Sequence, residues 1–190
     1  MMVQIAMLTA VAEVLMLFDF PLPFAPSFYK IDLSEVPILI GCFAMGPAAG
    51  IIIEAMKILL NFIISGTVTA GVGELANFAI GCSMVLPAGL IYRYHKTRKN
   101  AVLGMAAGTL VMAAIGGLLN AFVLLPAYAA LFGGMDAIIG MGTAVNKNIT
   151  SVQSFVLLSV VPFNLVKGVI VSLVTFLLYK HVSRVLIHNA

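Results

Sequence analysis

Apolar residues in this chain come in long runs cut by short polar punctuation, rather than in the alternation of a half-buried strand or the single stripe of a soluble helix. The runs fall at about 2–20, 37–45, 47–65, 74–95, 101–125 and 154–180. A bilayer core takes roughly 20 apolar residues to cross, so five of these runs read as spanning helices. The run at 37–45 predicts a short or tilted helix that ends at Gly46-Pro47. The run from 101 predicts a helix that passes Asn120 and breaks at Pro126. Segments 21–36, 66–73, 95–100 and 133–153 are rich in Gly, Pro or charged residues and read as loops. The two halves of the chain share no repeat.

Composition agrees with that pattern. Of the 190 residues, 62% are hydrophobic and 9% are charged, where an ordinary soluble domain carries about 25%. The expectation is a single integral-membrane domain over residues 1–190, all-α, with six transmembrane helices of which the second is short. The apolar N-terminal run extends too far for a signal peptide and lacks a small-residue cleavage pattern before Phe20, so it reads as a retained first helix. Cys42 and Cys82 lie in apolar runs and read as free thiols.

Charge placement orients the helices. The basic residues cluster in Arg93, His95, Lys96, Arg98 and Lys99, and again in Lys180, His181 and Arg184. Cytoplasmic loops carry the excess of Lys and Arg. Six helices with both termini cytoplasmic put these clusters inside, and put the loops holding Asp32, Glu35 and Asp136 outside. A five-helix count would split the two clusters between opposite sides.

No catalytic constellation is visible. The histidines (His95, His181, His188) lie in the basic loop or the tail, no cluster has metal-ligand spacing, and no phosphate-binding P-loop motif occurs. The chain reads as a non-enzyme with no cofactor and no nucleic-acid partner, its surroundings a lipid bilayer. Gly104, Gly108, Gly116 and Gly117 read as points of close helix approach.

The polar residues inside the apolar runs carry the functional signal. Lys167 lies about seven residues, or ~10 Å, inside the outer edge of its helix. A cation there costs on the order of 2.5 kcal/mol or more without a partner or a polar cavity. Asn164 shares its helix face, three residues earlier. Asn120 reaches the same outer level on the preceding helix, so a pocket open to the outside is expected. The competing reading makes Lys167 a structural cation paired with a buried carboxylate, Glu13 or Glu54. Glu54 and Lys57, three apart, read as an ion pair of their own, with Asn61 one turn beyond. Glu13 has no basic partner on its helix and could answer Lys57 or Lys167. The proline-rich, aromatic first loop, from Phe20 through Phe24, Phe28 and Tyr29 to Pro37, reads either as an interfacial belt or as a surface for a flat ring.

Taken in order, several motifs resemble the riboflavin-specific S components of energy-coupling factor (ECF) vitamin transporters. They are Ile31-Asp32-Leu33-Ser34-Glu35-Val36-Pro37, Gly46-Pro47-Ala48-Ala49-Gly50, Lys57-Ile-Leu-Leu-Asn61, Ala76-Asn77-Phe78, Leu119-Asn120-Ala-Phe-Val-Leu-Leu-Pro126-Ala-Tyr128 and Pro162-Phe163-Asn164-Leu165-Val166-Lys167-Gly168. The resemblance implies a subunit of the bacterial plasma membrane that captures riboflavin outside, as transported ligand. It would act with a transmembrane coupling subunit and two cytoplasmic ATPases. It also implies that Asn120, Asn164 and Lys167 bind the ring. An apolar wall would come from Phe122, Leu125, Tyr128 and Phe163. Lys30 and Asp32 of the first loop would face the ribityl chain, and Tyr29 beside them would also bind the ligand. Ala6 and Ala10, small residues four apart, would contact the coupling subunit. The glycine-rich stretch 131–153 departs from the family pattern. An S component for another vitamin such as thiamine or biotin, or a solitary carrier, stays open at this level.

Overall fold

The structure is a computed structural model that describes residues 1–67 and 69–187, with side chains described as far as Tyr179. Lys180, His181 and Arg184, which the orientation argument invoked, and His188 therefore lie outside the described side chains.

The long apolar runs become helices. They are α1 (Met2–Leu17), α2 (Glu35–Met45), α3 (Pro47–Ser65), α4 (Val72–Tyr94), α5 (Arg98–Leu119), α6 (Leu125–Phe132), α7 (Met135–Val145), α8 (Val152–Phe155) and α9 (Val161–Ile187). The first loop carries a minimal hairpin, β1 (Phe20–Pro21) against β2 (Lys30–Ile31), with Phe20 opposite Ile31. Four continuous helical stretches are long and apolar enough to cross a membrane: Pro47–Ser65, Val72–Tyr94, Arg98–Phe132 and Val152–Tyr179. The chain is a multi-pass membrane protein.

The α2–α3 junction falls where the sequence predicts. Gly46 adopts φ +101°, a conformation that L side chains avoid, and Pro47 opens α3. Two expectations fail. The helix through Asn120 does not break at Pro126, because a π-helical turn (Asn120–Leu124) joins α5 to α6. A second π turn (Val156–Val160) joins α8 to α9. Each ends two residues before a proline, Pro126 or Pro162. Proline lacks an N–H and its ring crowds the carbonyl four residues back, and the wider turn absorbs both effects without ending the helix. The second failure is segment 133–153, which contains the 11-residue helix α7. An added Cβ at Gly142 would sit 2.7 Å from the Phe155 ring. The glycines that made this segment look like a loop let a short helix pack flat on its neighbour.

Close approach elsewhere follows the expected glycines. A Cβ on Gly104 would lie 2.7 Å from the Ala88 carbonyl oxygen, so α5 rests directly on the α4 backbone. One apolar core, with Ile38, Leu39, Ile53, Met84 and Met112, fills the space between α2, α3, α4 and α5. A second, around Tyr29, Ile31, Leu125, Ile138, Phe155 and Phe163, fixes the first loop against α6–α9. Half of α1 is exposed, and only Thr9, Ala12 and Glu13 are buried.

Candidate functional site

A cavity of about 180 Å³ opens beneath the first loop. Phe28, Tyr29, Lys30 and Asp32 come to it from the loop, and Gly73, Asn77 and Ile80 from α4. Asn120, Leu124 and Tyr128 come from the α5–α6 helix, and Phe163, Asn164 and Lys167 from α9. Asn120 opens the first π turn, and Asn164 follows the second by four residues, near the start of α9. Each amide donates to the carbonyl four residues back, Asn120 Nδ2 to Gly116 at 2.8 Å and Asn164 Nδ2 to Val160 at 2.9 Å. Anchored in this way, the amide oxygens are the atoms left to receive a donor. The Tyr29 hydroxyl already donates to Asn120 Oδ1 at 2.5 Å. Gly116 makes room, since a Cβ there would stand 2.9 Å from Asn164 Nδ2.

Aromatic rings line the loop side. Tyr29 lies 5.4 Å from Phe163 and 4.6 Å from Phe28, and Phe28 meets Tyr128 edge-on at 5.7 Å. These spacings suit tilted and T-shaped aromatic pairs.

A chain of buried charges runs inward from the cavity. Lys167 Nζ is 3.0 Å from Asp32 Oδ2 and 3.2 Å from Glu35 Oε1. Glu35 Oε1 is in turn 3.6 Å from Lys57, which lies 2.9 Å from Glu54 and donates to Ser34 Oγ at 3.2 Å. Three carboxylates face two ammonium groups, which leaves one formal negative charge (−3 + 2 = −1). Burial alone would raise the Asp32 carboxyl. The Lys167 ammonium, then Lys57 and the Ser34 hydrogen bonds, outweigh burial and hold it at about 2.

Of the residues picked out from sequence, the fold gathers Asn120, Asn164, Lys167, Tyr128, Phe163, Tyr29, Lys30 and Asp32 around one cavity. Two picks for the apolar wall are corrected. Phe122 is 77% exposed on the outer surface, because two residues along a helix from Asn120 turn the side chain by about 200°. Leu125 is buried in the second core and does not line the cavity. Lys30 lines the rim and pairs on the surface with Asp19 at 3.0 Å. The expected partners of Lys167 are also corrected: its carboxylates are Asp32 and Glu35, not Glu13 or Glu54. Glu13 instead accepts from Asn61 Nδ2 at 3.1 Å, since these two meet where α1 packs on α3. The Glu54–Lys57 pair forms as expected. Sequence reasoning left Glu35, Asn77, Gly73, Ile80 and Leu124 out of the site, and reached Phe28 only as one of the loop aromatics that could face a flat ring. Asn77, a polar residue in an apolar helix, also carried a usable signal; Glu35, Gly73, Ile80 and Leu124 did not.

Ala6 and Ala10 are exposed on the outward face of α1, away from its buried Thr9, Ala12 and Glu13.

Comparison with known proteins follows the same line. Residues 1–179 match the family described as ECF transporter, substrate-specific component, and the chain belongs to that family. It is 36% identical to the riboflavin transporter RibU of Staphylococcus aureus (strain TCH60), covering 97% of this chain and 91% of that protein. It is 33% identical to the riboflavin transporter FmnP of Bacillus subtilis (strain 168), covering 94% and 89%. A solved structure of the S component of a bacterial ECF transporter superposes with a TM-score of 0.76 at 36% identity, over 97% of this chain and 96% of that one.

Proposed function

We propose that this chain is the riboflavin-binding S component of a bacterial ECF importer. The observation that carries the reading is the convergence of Asn120, Asn164 and Lys167 on one aromatic-lined cavity, in a chain whose relatives are riboflavin transporters. The pyrimidine edge of isoalloxazine offers two carbonyl acceptors and one N–H donor. Lys167 donates to a carbonyl, and an asparagine amide both donates and accepts. Phe28, Tyr29, Tyr128 and Phe163 supply flat apolar contact for the rings, and Lys30 and Asp32 lie on the loop side for the ribityl hydroxyls.

A cavity of about 180 Å³ is below the few hundred Å³ that a ligand of this size fills. Tyr29 stands where the ring's N–H would meet Asn120 Oδ1. Riboflavin therefore enters by displacing the Tyr29 hydroxyl and carrying the first loop outward with it.

The topology that goes with this reading has six spans, α1, α2, α3, α4, the α5–α6 unit and α9, with both termini in the cytoplasm and the cavity facing outside. A cysteine placed at Asn100 labels only from the inside in that topology, and labelling from outside in intact cells overturns it. Transport would need a transmembrane coupling subunit and two ATPases, with Ala6 and Ala10 as the docking face. Their exposure supports this, because small residues let helices approach closely. Ala10→Trp then keeps riboflavin binding and abolishes ATP-driven uptake.

The deciding experiment is titration of the purified protein with riboflavin, followed by quenching of flavin fluorescence. Saturable one-to-one quenching, not competed away by excess thiamine or biotin, is expected. No quenching sinks the proposal.

A further inference from the structure

The charges of this molecule are unevenly matched. All seven acidic residues, Glu13, Asp19, Asp32, Glu35, Glu54, Glu74 and Asp136, lie outside α5, α9 and the loop 95–97. Lys30, Lys57 and Lys167 each have a carboxylate within 3.0 Å. Arg98 and Lys99, exposed at the start of α5, have no acidic side chain on their own helix or on α9, and the segment after Tyr179 holds none either. Among the described residues, the positive charge of Arg98 and Lys99 meets no carboxylate.

A groove on the outer surface leads to the same place. α5 is drawn towards α4 by Gly104 and Gly108, and α9 touches α5 where Gly168 meets Thr109. The small side chains Ala106 and Ser172 leave a furrow between the two helices, about 560 Å³ in volume. Its one polar feature is covered, since the Thr109 and Ser172 hydroxyls face each other at 3.5 Å. Past Val102, Ala106 and Phe176, which border both, the furrow continues into a second hollow of about 480 Å³ whose end is formed by Arg98 and Lys99.

An apolar channel of this length that ends on two cations, unpaired among the described residues, matches one chemistry. We propose that the α5–α9 groove is a binding site for an anionic phospholipid. One acyl chain lies along Val102, Ala106 and Phe176, and the phosphate rests on Arg98 and Lys99. Burial of chain methylenes holds the tail, and basic residues at the membrane edge select the headgroup. The proposal is independent of the ligand read into the cavity. It uses the proposed orientation only to place the lipid in the inner leaflet, so failure of the cysteine-labelling test would move the lipid to the other leaflet without removing the site.

Native mass spectrometry of the full chain in detergent tests it, with dioleoyl phosphatidylglycerol and dioleoyl phosphatidylcholine supplied in equal amounts. The expected result is one retained phosphatidylglycerol at about thirtyfold preference over phosphatidylcholine, from two basic contacts. The double variant Arg98→Gln, Lys99→Gln should lose the preference. Ala106→Leu fills the furrow from its exposed side and should lower retention of both lipids. Riboflavin titration should be unchanged in every variant, which confirms folding. Equal retention of the two lipids by the unaltered protein overturns the proposal. So does a preference that survives the double charge variant, undiminished retention in Ala106→Leu, or a protein dimer in place of the lipid adduct.

Discussion

Lys57 and Lys167 stand on the same chain of buried charges and share Glu35 as a partner, yet they occupy different kinds of place. Lys57 is fully buried between Glu54, Glu35 and Ser34 and does not reach the cavity. Lys167 is 8% exposed, pairs with Asp32 and Glu35, and lines the cavity wall. From sequence both are lysines inside an apolar helix with a polar residue close by, and both carry the same insertion cost. The fold separates them through the first loop. By placing Asp32 and Glu35 against α9, it makes Lys167 a structural cation and a pocket residue at once. The two readings open from sequence, ion pair or ligand contact, turn out to be compatible.

The largest expected effect breaks the interior side of that comparison. Lys57→Met strands Glu54 and Glu35 in the bundle, and removing one partner of a buried pair costs about 3–5 kcal/mol. Thermal unfolding in detergent should show a steep loss of stability, with the riboflavin-induced rise in melting temperature retained. Adding Glu54→Gln should recover much of the loss, because the double variant leaves Glu35 to Lys167. If Lys57→Met abolishes the riboflavin-induced shift while stability is kept, the division of labour between the two lysines is wrong.

Lys167→Met tests the cavity side. It should lower stability, because Asp32 and Glu35 lose their nearest cation, and should also weaken riboflavin binding by about 1–3 kcal/mol, or roughly 5- to 150-fold. Asn164→Ala should cause a comparable loss of affinity with little change in the ligand-free melting temperature, since among the described residues its amide bonds only to Val160. Fluorescence titration beside melting curves separates the two effects. Full affinity in Lys167→Met would leave the residue a structural cation alone.

The parts of this site legible in the sequence share a cause. Asn120, Asn164 and Lys167 are expensive in an apolar helix, so their position in the chain already demands a reason. Glu35 gave no such signal, because from sequence it falls in the polar segment 21–36, where a charge costs nothing, whereas the fold makes it the buried first residue of α2. The helix α7 was hidden for the opposite reason, since Gly140 and Gly142 read as turn residues although Gly142 serves packing. Phe122 was chosen by residue type alone, although helical phase already turns it about 200° away from Asn120.

A smaller effect sharpens the picture of the cavity itself. The Tyr29 hydroxyl competes with an incoming ligand for Asn120 Oδ1, while its ring packs on Phe163. Tyr29→Phe keeps the ring and removes the competitor. With a net hydrogen bond worth about 0.5–1.5 kcal/mol, riboflavin should bind about two- to tenfold more tightly. Weaker binding in Tyr29→Phe would make the hydroxyl a ligand contact in its own right.

The smallest expected effect checks the face of the α5–α6 helix that looks into the cavity. Phe122 and Phe163 are equal candidates for the apolar wall by residue type, and the fold sends one outward, 77% exposed, and buries the other to 6%. An exposed side chain away from special features changes stability by no more than about 0.5 kcal/mol on substitution, and Phe122 makes no contact with the cavity lining that a ligand would feel. Phe122→Ala should therefore leave both the melting temperature and the riboflavin dissociation constant close to those of the unaltered protein. Phe163→Ala removes a ring from the wall and should weaken binding measurably. Equal losses in the two variants would mean that Phe122 turns inward when the ligand binds. The π turn at 120–124 would then have to unwind for the cavity to fill.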